Sequence, residues 1–580
     1  MFKRYLIAAT LVVSAVSCDT AEDRLAEVQE RARSQAPEIA QETLDAWATE
    51  DREALARVLG DSSRATRFLK VFARAKRQGE ISTASVRSDG QPQFIEIEPV
   101  NEDISVAFDV PYEIEWSSEA AAEIVSLAGE LRIEYRDLAD EWEVSLTPEA
   151  IWPGIEGAAG FATEYEWFRR GTLKDRHGNV IAKGPVASRR YPYGPVGGTT
   201  VGHIGSLTKA DLREGADGDA GDLVGASGLE AAFQERLAGL PSSRLIVVDS
   251  QGSQIETLGG IEGYPGETVK VTLDMELQRA VENAFGSTIG GSVLIQPSTG
   301  DLLAVVDSSS FDPNNYVGAQ DVEPFNRALF GGYPPGSTMK VVTAAAALET
   351  RTVRPDTTLT GPKEYKGVRN FESGEFGSIP FATAVKFSVN TAFAQVAEDL
   401  GGSKLTHFAE AFGFNRSPKM ALAARESSFP EPVGLGDVMW ASVGQAQVLA
   451  TPLQMASVVA TVGNDGKRME PRIDMDEPLE GERVMSKRHA KQLAAMMQAA
   501  VEGGTGVNAR ISGVSIAGKT GTAEVDVSGE RRNHAWFVCF TPVDGPRVAL
   551  SVVSEYGGVG GQVAAPIARR ILLATLNVVR

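Results

Sequence analysis

A serine and a lysine three residues apart, Ser337 and Lys340, have the types and spacing needed for covalent chemistry. Side chains at positions i and i+3 lie on one face of a helix, so the lysine amine can take the proton of the serine hydroxyl. Two prolines and a glycine precede the serine, and a mostly apolar run at 341–349 follows the lysine, which predicts that Ser337 begins a buried helix. The positive end of a helix dipole favours an alkoxide there. We therefore predict a serine nucleophile with Lys340 as its general base.

Two further strings follow in the same half of the chain, Ser-Val-Asn at 388–390 and Lys-Thr-Gly-Thr at 519–522. Taken singly, each has an ordinary explanation: Ser388 precedes a predicted helix and could be its N-cap. The three strings together, in this order, favour a single acyl-transfer site. Burial and a second nearby cation would both lower the pKa of Lys340, so that a neutral amine is available as the base.

The three strings resemble the motif set of penicillin-binding proteins and serine β-lactamases. The resemblance implies that Ser388 relays a proton between Lys340 and the leaving amine, and that Asn390 holds Lys340 and the substrate amide. The catalytic residues that it implies are Ser337, Lys340, Ser388, Asn390 and Lys519, and the substrate-binding residues are Thr520, Gly521 and Thr522.

The string at 519–522 is expected on an edge strand. In the family, the residues that match Lys519, Thr520 and Thr522 face the terminal carboxylate of the substrate, and the glycine lets the acyl chain approach the backbone closely. The resemblance also implies an oxyanion hole made by the backbone N–H groups of Ser337 and Thr522. A further string at 444–456 resembles the family, with Ala446 at a position where glycine is commoner.

The lysine at 519 also completes a nucleotide-binding pattern, because residues 513–520 satisfy G-x-x-x-x-G-K-[ST]. A phosphate-binding loop must follow a buried strand and open a helix, whereas Gly521 and mostly polar residues follow here. We reject nucleotide binding on that ground. The five histidines lack the spacing of metal ligands, and we predict neither a metal nor a cofactor.

The N-terminus is typical of an export signal, since Lys3 and Arg4 precede an apolar stretch at 5–16 that is too short to span a bilayer. Cys18 lies in a context that resembles a lipoprotein-processing site. We predict an exported, lipid-anchored protein at the outer face of the cytoplasmic membrane or in the periplasm; a simple secretory signal or an uncleaved short anchor is the alternative. The other cysteine, Cys539, lies in an apolar run and is predicted to be a small buried side chain.

The length of 580 residues suggests three or four domains, and a formal charge of −21 argues against nucleic acid as a partner. A helical pattern at 22–60 and alternating apolar residues at 104–146 predict a cone-shaped α+β domain. Residues 142–153 resemble the end of the nuclear-transport-factor-like domain in the methicillin-resistance type of penicillin-binding protein. Strings at 170–182 and 225–239 resemble the pedestal domain of the same family.

These observations predict a multidomain α+β protein. The predicted segments are an export or lipoprotein signal at 1–18, a nuclear-transport-factor-like domain at 19–155, a β-rich dimerisation or pedestal domain at 156–268 and a transpeptidase domain at 269–580. The last is expected to be an antiparallel sheet flanked by helices, as in β-lactamases. The segment before Arg170 is too short for a glycosyltransferase and shows no such motif, so the resemblance is to a monofunctional, class B penicillin-binding protein.

The resemblance implies D,D-transpeptidation. Ser337 would attack the penultimate D-Ala carbonyl of a peptidoglycan stem peptide, D-Ala would leave, and an amine of a neighbouring stem would resolve the acyl-enzyme. β-Lactams would acylate the same serine. The expected partners are stem peptides or their lipid-linked precursor, β-lactam antibiotics and cell-wall synthesis proteins.

Three alternatives share these motifs. A D,D-carboxypeptidase or β-lactamase would deacylate with water, for which the sequence offers no motif-anchored glutamate base. A β-lactam-sensing receptor would carry transmembrane helices, and none is evident in the sequence. A non-catalytic scaffold of a cell-wall assembly complex would not require the complete motif set.

Overall fold

A computed structural model describes residues 21–100, 103–213, 220–317 and 325–578. Cys18 and the predicted export signal lie outside the described residues. The described residues form two compact units: one contains those up to Phe168 together with Leu240–Tyr264, and the other contains those within Arg169–Gly239 and those from Pro265 onward. The predicted multidomain α+β class is confirmed. Within the described part of the chain, no helix is both long and apolar enough to cross a membrane.

The first unit packs three helices against an antiparallel sheet. The helices are Ala21–Ala48, Arg52–Val58 and Ser62–Gln78. Asp51 and Asp61 begin the second and third helices, where their carboxylates accept bonds from backbone N–H groups. The strands are Ile81–Ser88, Gln93–Val100, Asp103–Ser118, Val125–Arg136 and Glu141–Val144. Side chains of the central strand alternate between buried and half-buried, as the period of two predicts.

Three later strands complete the first unit, in the order Gln254–Ile261, Ser242–Val248, Gly160–Glu166. Phe161 and Leu245 from these strands join the core that contains Trp47 and Trp116. The chain therefore returns to this unit after a long excursion, an arrangement that no local sequence pattern indicates.

The second unit begins with short elements. Its early strands are Leu173–Lys174, Val180–Ala182, Ile204–Ser206, Leu223–Gly225 and Val269–Lys270, and its early helices are Gly198–Val201, Lys209–Arg213, Gly228–Ala232 and Gln234–Ala238. Two-residue strands, Gly239–Leu240 and Tyr264–Pro265, lie where the chain passes between the units. The guanidinium groups of Arg170 and Arg189 both pair with the fully buried carboxylate of Glu230.

Five antiparallel strands form the main sheet of the second unit. Their spatial order is Leu302–Asp307, Gly290–Ile295, Val548–Ser554, Glu530–Thr541, Ala517–Val527, so the last is an edge strand. Both faces of the sheet are covered: Trp536 belongs to one apolar cluster and its neighbour Phe537 to another. Cys539 is fully buried in the second cluster, and burial raises the pKa of its thiol.

Helices lie on both faces of this sheet. Met275–Phe285 and Ala564–Val578 contribute to one apolar cluster, and Pro452–Gly463 contributes to the other. The remaining helices are Arg327–Phe330, Lys340–Glu349, Phe381–Phe387, Asn390–Leu400, Gly402–Ala411, Gly434–Ser442 and Lys487–Gly503. Short strand pairs connect them: Thr358–Gly361 with Gly377–Pro380, Glu364–Tyr365 with Val368–Arg369, and Lys467–Met469 with Gly481–Arg483.

Candidate active site

Ser337 lies in a single turn of 3-10 helix, Gly336–Met339, that leads into the helix Lys340–Glu349. Side chains at i and i+3 of a 3-10 turn are nearly eclipsed, which puts Ser337 and Lys340 on the same side of the chain. Every residue from Lys340 to Leu348 is buried, so the predicted buried helix is present. Ser337 itself is half-buried and remains accessible.

The amine of Lys340 lies in a closed polar environment. Its Nζ is 2.8 Å from the Ser388 carbonyl oxygen, 3.1 Å from Ser388 Oγ and 2.5 Å from Asn390 Oδ1, and the residue is only 1% exposed. Burial and, second to it, the charge of Lys519 hold the pKa of Lys340 well below its ordinary value. A neutral amine has two hydrogens for these three oxygens, so its lone pair would face the third. Of the three, only the Ser388 hydroxyl carries a hydrogen that this lone pair could accept.

No hydrogen bond joins the described side chains of Ser337 and Lys340, its predicted base. Among the described residues, the hydrogen bonds of the Lys340 amine go to Ser388 and Asn390, and none joins it to the Ser337 hydroxyl. Catalytic hydrogen bonds are often long in a ligand-free site and shorten when substrate binds. The pairing of Ser337 with Lys340 therefore stays a prediction.

Ser388 is the residue at which all three sequence strings meet. The helix Phe381–Phe387 ends at Ser388, which has a left-handed backbone (φ 58°, ψ 40°). Few residues other than glycine adopt this conformation, and here it turns the chain directly into the helix Asn390–Leu400. Val389 occupies the N-cap position of that helix, so Ser388 does not act as an ordinary N-cap. Its hydroxyl instead lies between two amines.

Lys519 is the second of these amines. It lies on the edge strand Ala517–Val527, and its Nζ donates to Ser388 Oγ at 2.8 Å and to the Thr520 carbonyl oxygen at 2.9 Å. Burial lowers the pKa of Lys519 to about 7. No helix follows this lysine, because the strand continues to Val527, so the nucleotide-binding pattern lacks the structure that it requires.

The residues after Lys519 extend the site along the strand. Thr520 Oγ1 donates to Thr505 Oγ1 at 2.8 Å, and Thr522 Oγ1 accepts a bond from the Gly560 N–H at 3.1 Å. Each pair leaves one hydroxyl hydrogen, on Thr505 and on Thr522, able to donate elsewhere. A methyl group on Gly521 would lie 2.8 Å from the Pro335 carbonyl oxygen, which means that only glycine fits there without a shift.

The sequence did not indicate two residues that hold site residues in place, Arg369 and Thr505. Asn390 Nδ2 donates to the Arg369 carbonyl oxygen at 2.8 Å, which orients the amide so that its oxygen faces Lys340. The hydroxyl of Thr505 joins the site by accepting the bond from Thr520 Oγ1. Neither belongs to a motif: the contact of Arg369 uses a backbone atom, and Thr505 follows two glycines that signal a loop and nothing more.

The structure thus brings Lys340, Ser388, Asn390 and Lys519 into one hydrogen-bonded cluster, with Ser337 one helical turn away. Thr520, Gly521 and Thr522 continue from it along the edge strand. A buried neutral amine beside a hydroxyl that contacts a second amine can accept, relay and return a proton, which is what acyl transfer to and from a serine needs.

Two segments of the chain match known domain families, and one of them contains this cluster. Residues 290–573 match the penicillin binding protein transpeptidase domain, and residues 181–271 match the penicillin-binding protein dimerisation domain. The first match spans all the residues of the cluster.

Two curated relatives and one solved structure extend the comparison. The peptidoglycan D,D-transpeptidase PbpA of Mycolicibacterium smegmatis is 34% identical over 395 residues, which cover 60% of this chain and 77% of that protein. The peptidoglycan D,D-transpeptidase MrdA of Escherichia coli strain K12 is 27% identical over 472 residues, covering 71% and 74%. The crystal structure of Pseudomonas aeruginosa PBP2 in complex with WCK 5153 is similar with a TM-score of 0.61 at 27% identity, over 71% of this chain and 96% of that one.

Proposed function

This chain belongs to the class B penicillin-binding proteins, with a dimerisation domain before a transpeptidase domain, and we propose which of its residues carry out the reaction. The protein is a peptidoglycan D,D-transpeptidase, an acyltransferase of the serine type. The observation that supports our assignment is the position of Ser388 Oγ, 3.1 Å from Lys340 Nζ and 2.8 Å from Lys519 Nζ. A proton can pass through the Ser388 hydroxyl between the amines of Lys340 and Lys519, both of which have lowered pKa values.

In the acylation half-reaction, Ser337 Oγ gives its proton to neutral Lys340 and forms a bond to the penultimate D-Ala carbonyl carbon. The backbone N–H groups of Ser337 and Thr522 stabilise the oxyanion, a contribution of about 3 kcal/mol per donor in comparable sites. When the intermediate collapses, the C–N bond breaks. The departing D-Ala amine takes the proton from Lys340 through Ser388.

In the second half-reaction, an amine of a neighbouring stem peptide attacks the acyl-enzyme. Its proton passes to Lys340, the new C–N bond forms, and the C–O bond to Ser337 breaks as the serine regains its proton. The acceptor must therefore arrive on the side of the carbonyl from which D-Ala departed. β-Lactams acylate Ser337 by the first half-reaction, since their amide nitrogen takes the place of the leaving amine.

Lys519, Thr520 and Thr522 bind the terminal carboxylate in this proposal. A carboxylate beside Lys519 would favour its charged form and raise its pKa from about 7. The free hydroxyl hydrogens of Thr522 and Thr505 supply neutral donors nearby.

The decisive experiment supplies a synthetic stem peptide ending in D-Ala-D-Ala together with an acceptor amine and follows the products by mass spectrometry. We expect release of D-Ala with an amide-linked product in excess of the hydrolysed tetrapeptide, and neither product from Ser337→Ala. Hydrolysed peptide as the main product would identify a D,D-carboxypeptidase instead.

We propose that residues 19–155, which make up only part of the first unit, are a nuclear-transport-factor-like domain of the methicillin-resistance type with no chemistry of its own, and that the dimerisation and transpeptidase domains occupy 156–268 and 269–580. We also propose a lipid anchor on Cys18, an extracytoplasmic location and partners among cell-wall synthesis proteins. A Cys18→Ser variant should then move from the membrane to the soluble fraction and lose the mass of the lipid.

A further inference from the structure

Trp536 contacts both the edge strand of Lys519 and the segment that precedes Ser337, and no motif points to it. It sits on the strand Glu530–Thr541, directly opposite Gly521 of the edge strand, and it is fully buried. Its indole N–H donates to the Pro334 carbonyl oxygen at 3.0 Å. One side chain thus links the strand that neighbours Lys519 to the run that precedes Ser337.

Besides this bond, the run before Ser337 reaches the sheet through Tyr333, whose ring packs edge-on against the rings of His534 and Trp536. Within the described part of the chain, none of its backbone N–H groups donates a hydrogen bond to the sheet. Pro334 and Pro335 carry no N–H, so they cannot donate a backbone hydrogen bond. Tyr333 exchanges backbone bonds with Ala450, and the Gly336 N–H donates to the Gly444 carbonyl oxygen at 2.9 Å. These bonds attach the run to residues outside the main sheet, whereas the bond from Trp536 attaches it to the sheet itself.

The edge strand packs closely against Trp536 and against the segment around Pro335 at Gly521. A methyl group on Gly521 would lie 3.0 Å from Trp536 Cβ, 2.8 Å from the Pro335 carbonyl oxygen and 3.0 Å from Thr338 Cγ2. A methyl group on Gly336 would lie 3.0 Å from the Thr522 carbonyl oxygen. The separation between the turn of Ser337 and the strand of Thr522 is therefore set locally, beside Trp536, which bonds to Pro334 and pairs with Gly521.

We propose that Trp536 is a positioning residue whose indole N–H fixes the distance between the backbone N–H groups of Ser337 and Thr522. The inference rests on the proposed function, in which these two groups form the oxyanion hole. Preorganised donors stabilise an oxyanion only when their geometry is held before the reaction, and a misplacement of about 1 Å can cost about 100-fold in rate. Trp536 does not touch the reacting atoms and acts through Pro334 and Gly521.

The test removes the N–H and keeps an aromatic ring. For Trp536→Phe we expect acylation by benzylpenicillin to be about 10- to 100-fold slower, with little change in the dissociation constant of the preceding non-covalent complex. The infrared carbonyl stretch of the acyl-enzyme should move to higher wavenumber, because weaker oxyanion-hole bonds polarise the carbonyl less. A residue that merely fills the core would lower the melting temperature without moving this band.

A second substitution guards against a folding defect. Replacement of Trp536 by benzothienylalanine, which has sulfur in place of the N–H and nearly the same shape, should reproduce the slow acylation and the shifted band. Trp142→Phe, which makes the same change in the other unit, should leave both unchanged. A parent-like rate and band in both Trp536 variants would overturn the inference and leave the proposed function intact. Failure of the parent protein to be acylated at Ser337 would instead overturn the proposed function.

Discussion

Lys519 Nζ lies 2.8 Å from Ser388 Oγ, and through this hydroxyl the second and third sequence strings become one site. Lys340 approaches the same oxygen at 3.1 Å. Two ammonium groups this close in a buried site repel each other and are poorly solvated, so the pKa values of both amines are lowered, that of Lys519 to about 7. One of the two amines therefore loses its positive charge at a lower pH than an isolated lysine does.

The pH dependence of acylation should change when the charge of Lys519 is removed. The charge at 519 helps to lower the pKa of Lys340, so Lys519→Met should raise that pKa and move the acidic limb of the acylation rate to higher pH. The measurement is the rate constant at saturating penicillin from pH 5 to 9. Lys386→Met, a change to a lysine in the helix before Ser388, is the control and should leave the limb in place. An unshifted limb in Lys519→Met would contradict the proposed coupling.

Asn390→Asp should slow acylation in a pH-dependent way. The new carboxylate would lie against the Lys340 amine, now 2.5 Å from the amide oxygen, and an opposite charge raises the pKa of an amine. We expect the rate at pH 7 to fall about 10-fold or more and to recover as the pH rises. Asn390→Ala, which adds no charge, should be slow without that recovery. Equal pH profiles for the two variants would show that Asn390 does not tune Lys340.

Gly521→Ala should slow acylation through a steric clash. The added methyl group would lie 2.8 Å from the Pro335 carbonyl oxygen, so the edge strand must move away from the turn of Ser337. We expect at least about a 10-fold loss of acylation rate. Gly436→Ala is the matched control, since nothing lies within 4 Å of that position, and it should acylate at the parent rate. A parent-like rate in Gly521→Ala would mean that the strand position is not critical.

Ala446→Gly should stabilise the protein. Ala446 has a left-handed backbone with φ 59°, which costs a residue with a Cβ about 1–2 kcal/mol, while glycine adds some entropy to the unfolded chain. We expect the free energy of unfolding to rise by about 0.5–1 kcal/mol. Ala495→Gly, at an exposed position inside the helix Lys487–Gly503, should lower it by about 1 kcal/mol. A loss of stability in Ala446→Gly, measured by chemical denaturation, would refute the argument from backbone strain.

The sequence predicted those parts of the site that depend on local pattern. The helix after Ser337 follows from its apolar run, and the strand Asp103–Ser118 follows from its period of two. The edge strand of Lys519 follows from the family resemblance. Ala446 stands where glycine is commoner in the family. Its left-handed backbone explains that preference, because a residue with a Cβ is strained in this conformation.

The remaining features depend on which distant segments meet. One of these features is a backbone conformation, the left-handed Ser388. Others join residues that are far apart in the chain, such as the hydroxyl pair of Thr505 and Thr520 and the bond from Trp536 to Pro334. The return of Leu240–Tyr264 to the first unit is of the same kind. Helical and strand periodicities depend on neighbouring residues and do not indicate contacts between distant segments, so a single sequence cannot reveal them.

Intact-protein mass after incubation with benzylpenicillin identifies the nucleophile, on which the proposed reaction depends. The parent should gain one penicilloyl adduct, which peptide mapping assigns to Ser337, and Ser337→Ala should gain none while keeping the parent melting temperature. Ser388→Ala should still be labelled, but more slowly. Equal labelling of the parent and Ser337→Ala, or an adduct on any other residue, would contradict the account.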